Sequence, residues 1–360
     1  NDLYENIEFI DSFGHDGSLI FKSATTCFRS EETTKKSTEQ FIDMLLNSGH
    51  LSMLEMMWLP IGFYFKDNTR KSKRADIVAA LDTITSMSNY IELSIDENEG
   101  FAIISGNARA WRDLFNFTYR NRSLLDKWDK AVLKAILYAI KEVHTQIFDE
   151  FYFTNEDASI VRDYAYVDVI KNNSGIPEEH SIHRWQFVKF HNVSRGLTHE
   201  LVRHRTMSFA QASTRYINNS NFEVLFDADE AFANLEIKKD IKYNVPFENI
   251  EKEDPVYIVG SEEHERIAKI NQRHMSKQLN DRLIKLMQET KDLYSDMVNA
   301  NVAKNHARQI LPTGILNEIC IAGRMTDWEH LFELRTSGVA HWEIRKIAKL
   351  LQKIFRKHNL

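Results

Sequence analysis

The stretch LVRHRTMSFAQASTRYINNS (residues 201–220) sets Arg203, His204, Arg205 and Arg215 among the hydroxyls of Ser208, Ser213 and Tyr216. Guanidinium stays charged at any cellular pH and forks onto phosphate oxygens, or onto a carbonyl and ring nitrogen lying in one plane. Several arginines beside serine hydroxyls therefore suit a nucleoside monophosphate. The same cations would also cap a helix C-terminus and face water, where positive charge is favourable. Upstream, a strand around residues 185–190 leads into a helix ending near His204. Downstream, residues 227–255 are acidic, polar and broken by proline, and read as a surface excursion.

This positive charge is local. The chain has 360 residues, a net charge of -6, 43% hydrophobic and 11% aromatic residues, enough to bury a large core as one or two domains. It lacks the broad basic surplus of a general nucleic-acid binder, and no nucleic-acid partner is expected. Cys27 and Cys320 have no paired spacing, which points to core thiols in a reducing cytoplasm and away from structural zinc. The most apolar window, MLEMMWLPIGFYF (residues 53–65), is too short to span a bilayer and carries Glu55. No basic-then-apolar leader opens the chain, so a soluble protein without a membrane partner is expected.

Spacing excludes several chemistries. His199 and His204 are five residues apart, about 140° around a helix, and do not share a face as a zinc-binding i, i+4 pair does. The glycine patterns of dinucleotide-binding folds, phosphate loops and hydrolase elbows are missing, and no metal site is expected.

Further out, helix-spaced Phe41, Met44 and Leu45 break at Ser48 and Gly49, and a strand-like run ends near Phe65. KDNTRKSKR (residues 66–74) reads as a solvated loop opening an inserted region, and residues 90–105 as a β-hairpin. NARAWRDLFNF continues as a helix, and residues 124–151 have the amphipathicity of a single long one. Residues 261–300 form another long helix, one carrying Arg308 stops at Pro312, and HWEIRKIAKLLQKIF packs as a terminal helix. SGNARAWRDLF (residues 105–115) and AGRMTDWEHLF (residues 322–332) share Gly, Trp, Leu and Phe at equivalent places. The echo marks either a duplicated strand-to-helix unit or a shared packing demand.

Arg-His-Arg, seven residues, Ser213, then Arg215 and Tyr216 resembles the signature of the flavin-dependent thymidylate synthases. GHLSMLE resembles the family's His-x-Ser/Thr-x-x-Glu segment at His50, Ser52 and Glu55. ATTCF resembles its N-terminal segment, ARQILP the helix with a substrate arginine at Arg308, and WEHLFELRTSGVAHWEIR the closing motif with Arg335. The resemblance implies an α+β fold of the thymidylate synthase-complementing type, a central, mostly antiparallel sheet flanked by long helices. It implies one catalytic domain over residues 1–360, with a hairpin-plus-helix insertion at about residues 66–184.

It further implies methylation of dUMP at C5, with methylenetetrahydrofolate as carbon donor and a hydride from FAD that NADPH reduces, in a homotetramer with sites between subunits. Arg335 would stabilise the uracil as its N3 proton leaves. Arg203, Arg215, Arg308, Ser213, Thr214, Gln211 and Glu200 would bind the nucleotide, Ser213 by hydrogen bonding, since no His-Asp relay is apparent to make it a nucleophile. His50, Ser52, His204 and Arg205 would line the flavin. Glu55 either joins them or pairs with one of these motif arginines, Tyr216 either meets ligand or is structural, and both cysteines look unsuited to covalent catalysis.

Two departures stand out. Arg324-Met325-Thr326 replaces the family's flavin-holding Asn-x-Arg, although His330 stands where Asn or His is usual. Asn107-Ala108-Arg109 in the insert restores the missing pattern, so the flavin contact is open between Asn107 with Arg109, reaching it across a subunit interface, and Arg324 with His330. Glu200 and Gln211 exchange the family's Gln and Glu, which leaves open another pyrimidine monophosphate, a hydroxymethyl product, or a non-catalytic nucleotide- or RNA-binding derivative.

Overall fold

The computed structural model describes residues 7–31, 33–96, 100–152, 158–215, 218–225 and 262–358, with the backbone alone for 158 and 262–276. Tyr216 and the acidic stretch at 227–255 lie outside the described residues. In chain order come β1 (Ile7–Ile10), α1 (Ser18–Phe28), α2 (Thr38–Ser48), β2 (Trp58–Phe65), α3 (Lys71–Ser86), β3 (Glu92–Asp96) and β4 (Phe101–Asn107). Next are α4 (Ala108–Arg120), α5 (Lys127–Val143), α6 (Ala158–Arg162), β5 (Ala165–Val169), β6 (Trp185–Ser194), α7 (Arg195–Leu201) and β7 (Ser208–Gln211). The chain ends through α8 (Glu262–Asn299), α9 (Lys304–Ala307), β8 (Leu316–Arg324), α10 (Met325–Arg335) and α11 (Trp342–Lys357).

The α+β expectation holds, with the strands divided between two four-stranded sheets, β1-β6-β8-β7 and β3-β4-β2-β5. Pairing is antiparallel in β1–β6, β7–β8, β2–β4, β2–β5 and β3–β4. The chain forms two compact units, one of residues up to Ser213 with those from Asn317 onward, the other Thr214–Leu316.

Local chemistry explains the elements of the first unit. Ser37 opens α2 with a capping box: its Oγ accepts from the Gln40 amide, and the Gln40 side chain accepts from the Ser37 amide. Gly49 closes the helix at φ 72°, a left-handed position that costs glycine little. The run into β2 is apolar on both faces because β2 lies between β4 and β5, and all its residues but Tyr64 are buried.

Two boundaries differ from expectation. The basic stretch is a loop only to Arg70; from Lys71 it is α3, whose Ile77, Ala80, Leu81 and Ile84 supply the buried stripe that four leading polar residues obscure. The helix expected over 124–151 ends at Val143, where His144 turns extended and the Thr145 hydroxyl donates back to the Lys141 carbonyl at 2.9 Å. Arg112 holds the following short turn through the Ile147 carbonyl.

One core gathers β2, β4, α3, α4 and α5, and a second gathers β6, β8, α7, α10 and the apolar face of α11. Between them Trp58 and Trp185 stack, centroids 6.2 Å apart and planes at 4°. The sequence echo is structural. The Ala108 and Met325 amides open α4 and α10 by donating at 2.9 Å to the carbonyls of Met57 and Arg184. Trp111 and Trp328, both fully buried, donate through Nε1 to the Leu59 and Gln186 carbonyls at 3.0 and 3.2 Å. Trp58 and Trp185 therefore sit at matching places, each one residue before an acceptor strand carbonyl.

In the second unit the Asn219 amide donates to the Tyr294 hydroxyl of α8 at 3.3 Å, and Val224 bridges Ile315. No helix of the described residues is long and apolar enough to cross a membrane.

Candidate functional site

The turn after α7 presents Arg203 and Arg205 to solvent and buries His204 between them. His204 Nε2 accepts from Arg335 Nε at 3.0 Å, while Arg335 Nη1 donates to the Glu200 carboxylate at 2.7 Å and Nη2 to the Glu200 carbonyl at 3.1 Å. Arg335 reaches this turn because it closes α10, which packs beside α7 in the second core. Burial, then the neighbouring Arg335 and His330, hold the His204 pKa down at about 4. A neutral imidazole is what an accepting Nε2 requires. His330 stands edge-on to His204, centroids 6.1 Å apart. Three of the five guanidinium N–H groups of Arg335 are engaged in this way, and the other two have no partner among the described residues.

The two exchanged positions have partners inside the protein. Glu200 holds Arg335, and Gln211 donates to the Thr198 hydroxyl at 2.7 Å. The Ser213 amide donates to the Cys27 carbonyl at 2.9 Å. Burial pushes the Cys27 thiol up and that of Cys320 to about 11, so neither is a ready thiolate.

A cavity of about 240 Å³ brings Glu55, Asn107 and Arg109 together with Arg205, Thr206 and Ser208. Arg109 donates to Glu55 at 2.7 Å, so Glu55 pairs with the arginine of the insert and not with one from the Arg-His-Arg segment. Asn107 caps α4 by accepting from the Ala110 amide, which directs its amide nitrogen elsewhere. A second cavity, about 100 Å³, shares Tyr90, Asn107, Arg205, Thr206 and Ser208 and extends to Trp58, Trp185 and Arg324. Arg324 is engaged inside the protein, paired with Glu92 of β3 and donating through Nε to Asp327 at 3.1 Å.

His50, Ser52, His204 and His330 lie outside both cavities. His50 is exposed and stacks against Phe28, centroids 6.5 Å apart, and Ser52 is exposed. In the second unit Arg308 donates to the Thr214 hydroxyl at 3.4 Å, and Arg215 is exposed. Tyr90, Thr206 and Asp113 also line the larger cavity without having been singled out. For Asp113 the signal was present, since it occupies in SGNARAWRDLF the place that His330 holds in AGRMTDWEHLF.

The profile of the thymidylate synthase complementing protein family matches residues 118–359. The matched region contains the Arg-His-Arg turn, Arg308 and Arg335, and leaves out Glu55, Asn107 and Arg109. A flavin-dependent thymidylate synthase of Pyrococcus abyssi is 30% identical over 170 residues, 46% of this chain and 53% of that protein. That of Pyrococcus furiosus is 29% identical over 170 residues with the same shares, and that of Corynebacterium glutamicum is 27% identical over 160 residues, 43% and 51%. The chain spans about half the length of these curated relatives. On the profile match, which takes in more than half of its residues, the chain belongs to the thymidylate synthase complementing protein family.

Proposed function

We propose that this chain is the catalytic domain of a flavin-dependent thymidylate synthase, which methylates dUMP at C5 with methylenetetrahydrofolate as carbon donor and FAD reduced by NADPH as hydride source. The observation that carries the reading is Arg335 clamped by Glu200 and neutral His204, with two N–H groups to spare, beside the exposed Arg203 and Arg205. A fixed guanidinium with unspent donors stabilises negative charge on a uracil ring as N3 loses its proton, and needs no reorganisation to do so. Glu200 and His204 orient Arg335; His204, neutral above about pH 4, keeps its accepting nitrogen in place. Arg203, Arg215, Arg308, Ser213 and Thr214 are assigned to the nucleotide and its phosphate.

The flavin, when bound, supplies the hydride. The larger cavity suits one end of such a dinucleotide: two guanidinium groups, an amide and hydroxyls fit phosphate and ribose oxygens, and about 240 Å³ is below the volume of a whole-ligand pocket. Arg109, Asn107 and Arg205 would hold it there, with Glu55 positioning Arg109. Arg324, engaged with Glu92 and Asp327, is left out of that role. The internal partners of Glu200 and Gln211 support dUMP itself as substrate, because both exchanges serve protein contacts. Assembly is assigned as a homotetramer.

The test is NADPH-dependent tritium release from C5-labelled dUMP with added FAD and methylenetetrahydrofolate, with the nucleotide product identified by mass. Release coupled to dTMP formation is expected. Flavin-independent release, a hydroxymethyl product, or a colourless protein that releases nothing would each overturn the reading.

A further inference from the structure

On β3, an edge strand, successive side chains alternate between faces. Leu93 and Ile95 pack on the core, so Glu92, Ser94 and Asp96 share the opposite, polar face. That face meets the segment Glu178–His183 that precedes β6. Ser94 Oγ lies 2.8 Å from His180 Nδ1 and 2.7 Å from His183 Nε2, and His183 Nδ1 lies 2.6 Å from Ser105 Oγ on β4. The hydroxyl of Ser94 has one hydrogen. When it donates to His183 Nε2 it accepts from His180 Nδ1–H, and His183 donates through Nδ1 to Ser105.

That assignment leaves His180 Nε2 as a bare lone pair, and the reverse one leaves it an N–H without an acceptor, whose proton a bound cation displaces. His180 is 7% exposed, and its Nε2 is buried with no hydrogen-bond partner. Leaving such an atom unsatisfied costs about 1–3 kcal/mol. The atom faces Asp96 Oδ2 at 3.9 Å, and ligand atoms of Asp96, Glu179 and His180 all lie within 4.8 Å of one another. Zinc bonds of about 2.1 Å put ligand atoms roughly 3–4 Å apart, so small side-chain movements, chiefly of the exposed Glu179, close the set.

We propose that Asp96, Glu179 and His180 form a divalent-cation site that pins the edge of the inserted hairpin to the segment leading into β6. One imidazole and two carboxylates suit a zinc-type ion, whose charge the carboxylates balance and whose coordination water completes. Ser94 is a positioning residue: it holds Nδ1 of His180 and so turns Nε2 to the ion, as second-shell partners of metal-binding histidines do. The site stands apart from the flavin and nucleotide reading and survives or fails without it.

The test is calorimetric titration of the chelator-treated full chain with ZnCl2, alongside thermal melting with and without the ion. One zinc per chain and a raised Tm are expected. His180→Gln and Asp96→Asn should each remove that binding and the Tm rise, and Ser94→Ala, which keeps all three ligands, should weaken it about 10-fold. Should His180→Gln fail to fold, Asp96→Asn carries the comparison. No binding by the wild type at millimolar zinc, or equal binding by wild type and both ligand variants, would overturn the site.

Discussion

The strand-to-helix units β4–α4 and β8–α10 share a scaffold and differ at their working ends. Both open a helix on the carbonyl just before the neighbouring strand and lock it with a buried indole donating to the next carbonyl but one. At the start of the helix, the first unit sets Asn107 and Arg109, the latter paired with Glu55, on the larger cavity, whereas the second sets Arg324, paired with Glu92 and Asp327, on the smaller one. At its end the roles reverse: the second unit carries Arg335, and the equivalent Thr118 of the first is buried and donates to the Leu114 carbonyl. The difference teaches that one packing frame can carry different side chains at its two ends, which the proposed function assigns to different parts of one binding site.

The comparison can be broken most forcefully at Arg335. Arg335→Lys keeps the charge but loses the fork onto Glu200 and His204, and turnover should fall about 100- to 1000-fold; Thr118→Val, at the matching place, should leave turnover unchanged in the same steady-state assay. Next is His183, which ties β4 through Ser105 to the segment leading into β6 and whose pKa burial lowers to about 3. Between that value and 6.5 the unfolded chain binds a proton that the folded chain refuses, so stability is full above 6.5 and declines as pH falls. The slope is up to about 1.4 kcal/mol per pH unit for this residue. Urea titrations from pH 7 to 4 should show it, with a shallower slope in His183→Gln; parallel curves would remove His183 from the account.

The equivalence of the scaffolds is sharpened by Trp111→Phe and Trp328→Phe. Each leaves a buried carbonyl without its indole donor and should lose about 1–3 kcal/mol by urea unfolding. A loss confined to one of them would mean that the frames are not alike. The smallest effect belongs to the helix start: Asn107→Ala should cost about 1 kcal/mol of stability through its cap, measured the same way, in addition to any change in flavin binding.

Much of this comparison was legible in the residues, unevenly. Gly, Trp, Leu and Phe recur because each meets a short-range demand: Gly323 has Met207 Cε 3.0 Å from where a Cβ would stand, and Gly106 has Ile91 Cγ1 at the same distance. The Asn107–Arg109 pattern could be read because its spacing is local. That Arg109 would meet Glu55, 54 residues earlier, and a cavity shared with Arg205 depends on tertiary packing, which no spacing encodes. The boundaries of α3 and α5 were misread for a local reason, since leading charges mask an apolar stripe and a steady amphipathic period conceals a break at His144. The polar face of β3 went unnoticed because Glu92, Ser94 and Asp96 look like an ordinary solvated edge until Glu178–His183 is laid against it.

The central proposal, that Arg109 on the first unit holds the flavin and Arg324 on the second does not, is tested most directly by the FAD dissociation constants of Arg109→Ala and Arg324→Ala. The account predicts affinity at least about 10-fold weaker for Arg109→Ala, the loss of a charge-assisted contact, and near wild-type affinity for Arg324→Ala. Unchanged affinity in Arg109→Ala, or a loss confined to Arg324→Ala, would contradict it.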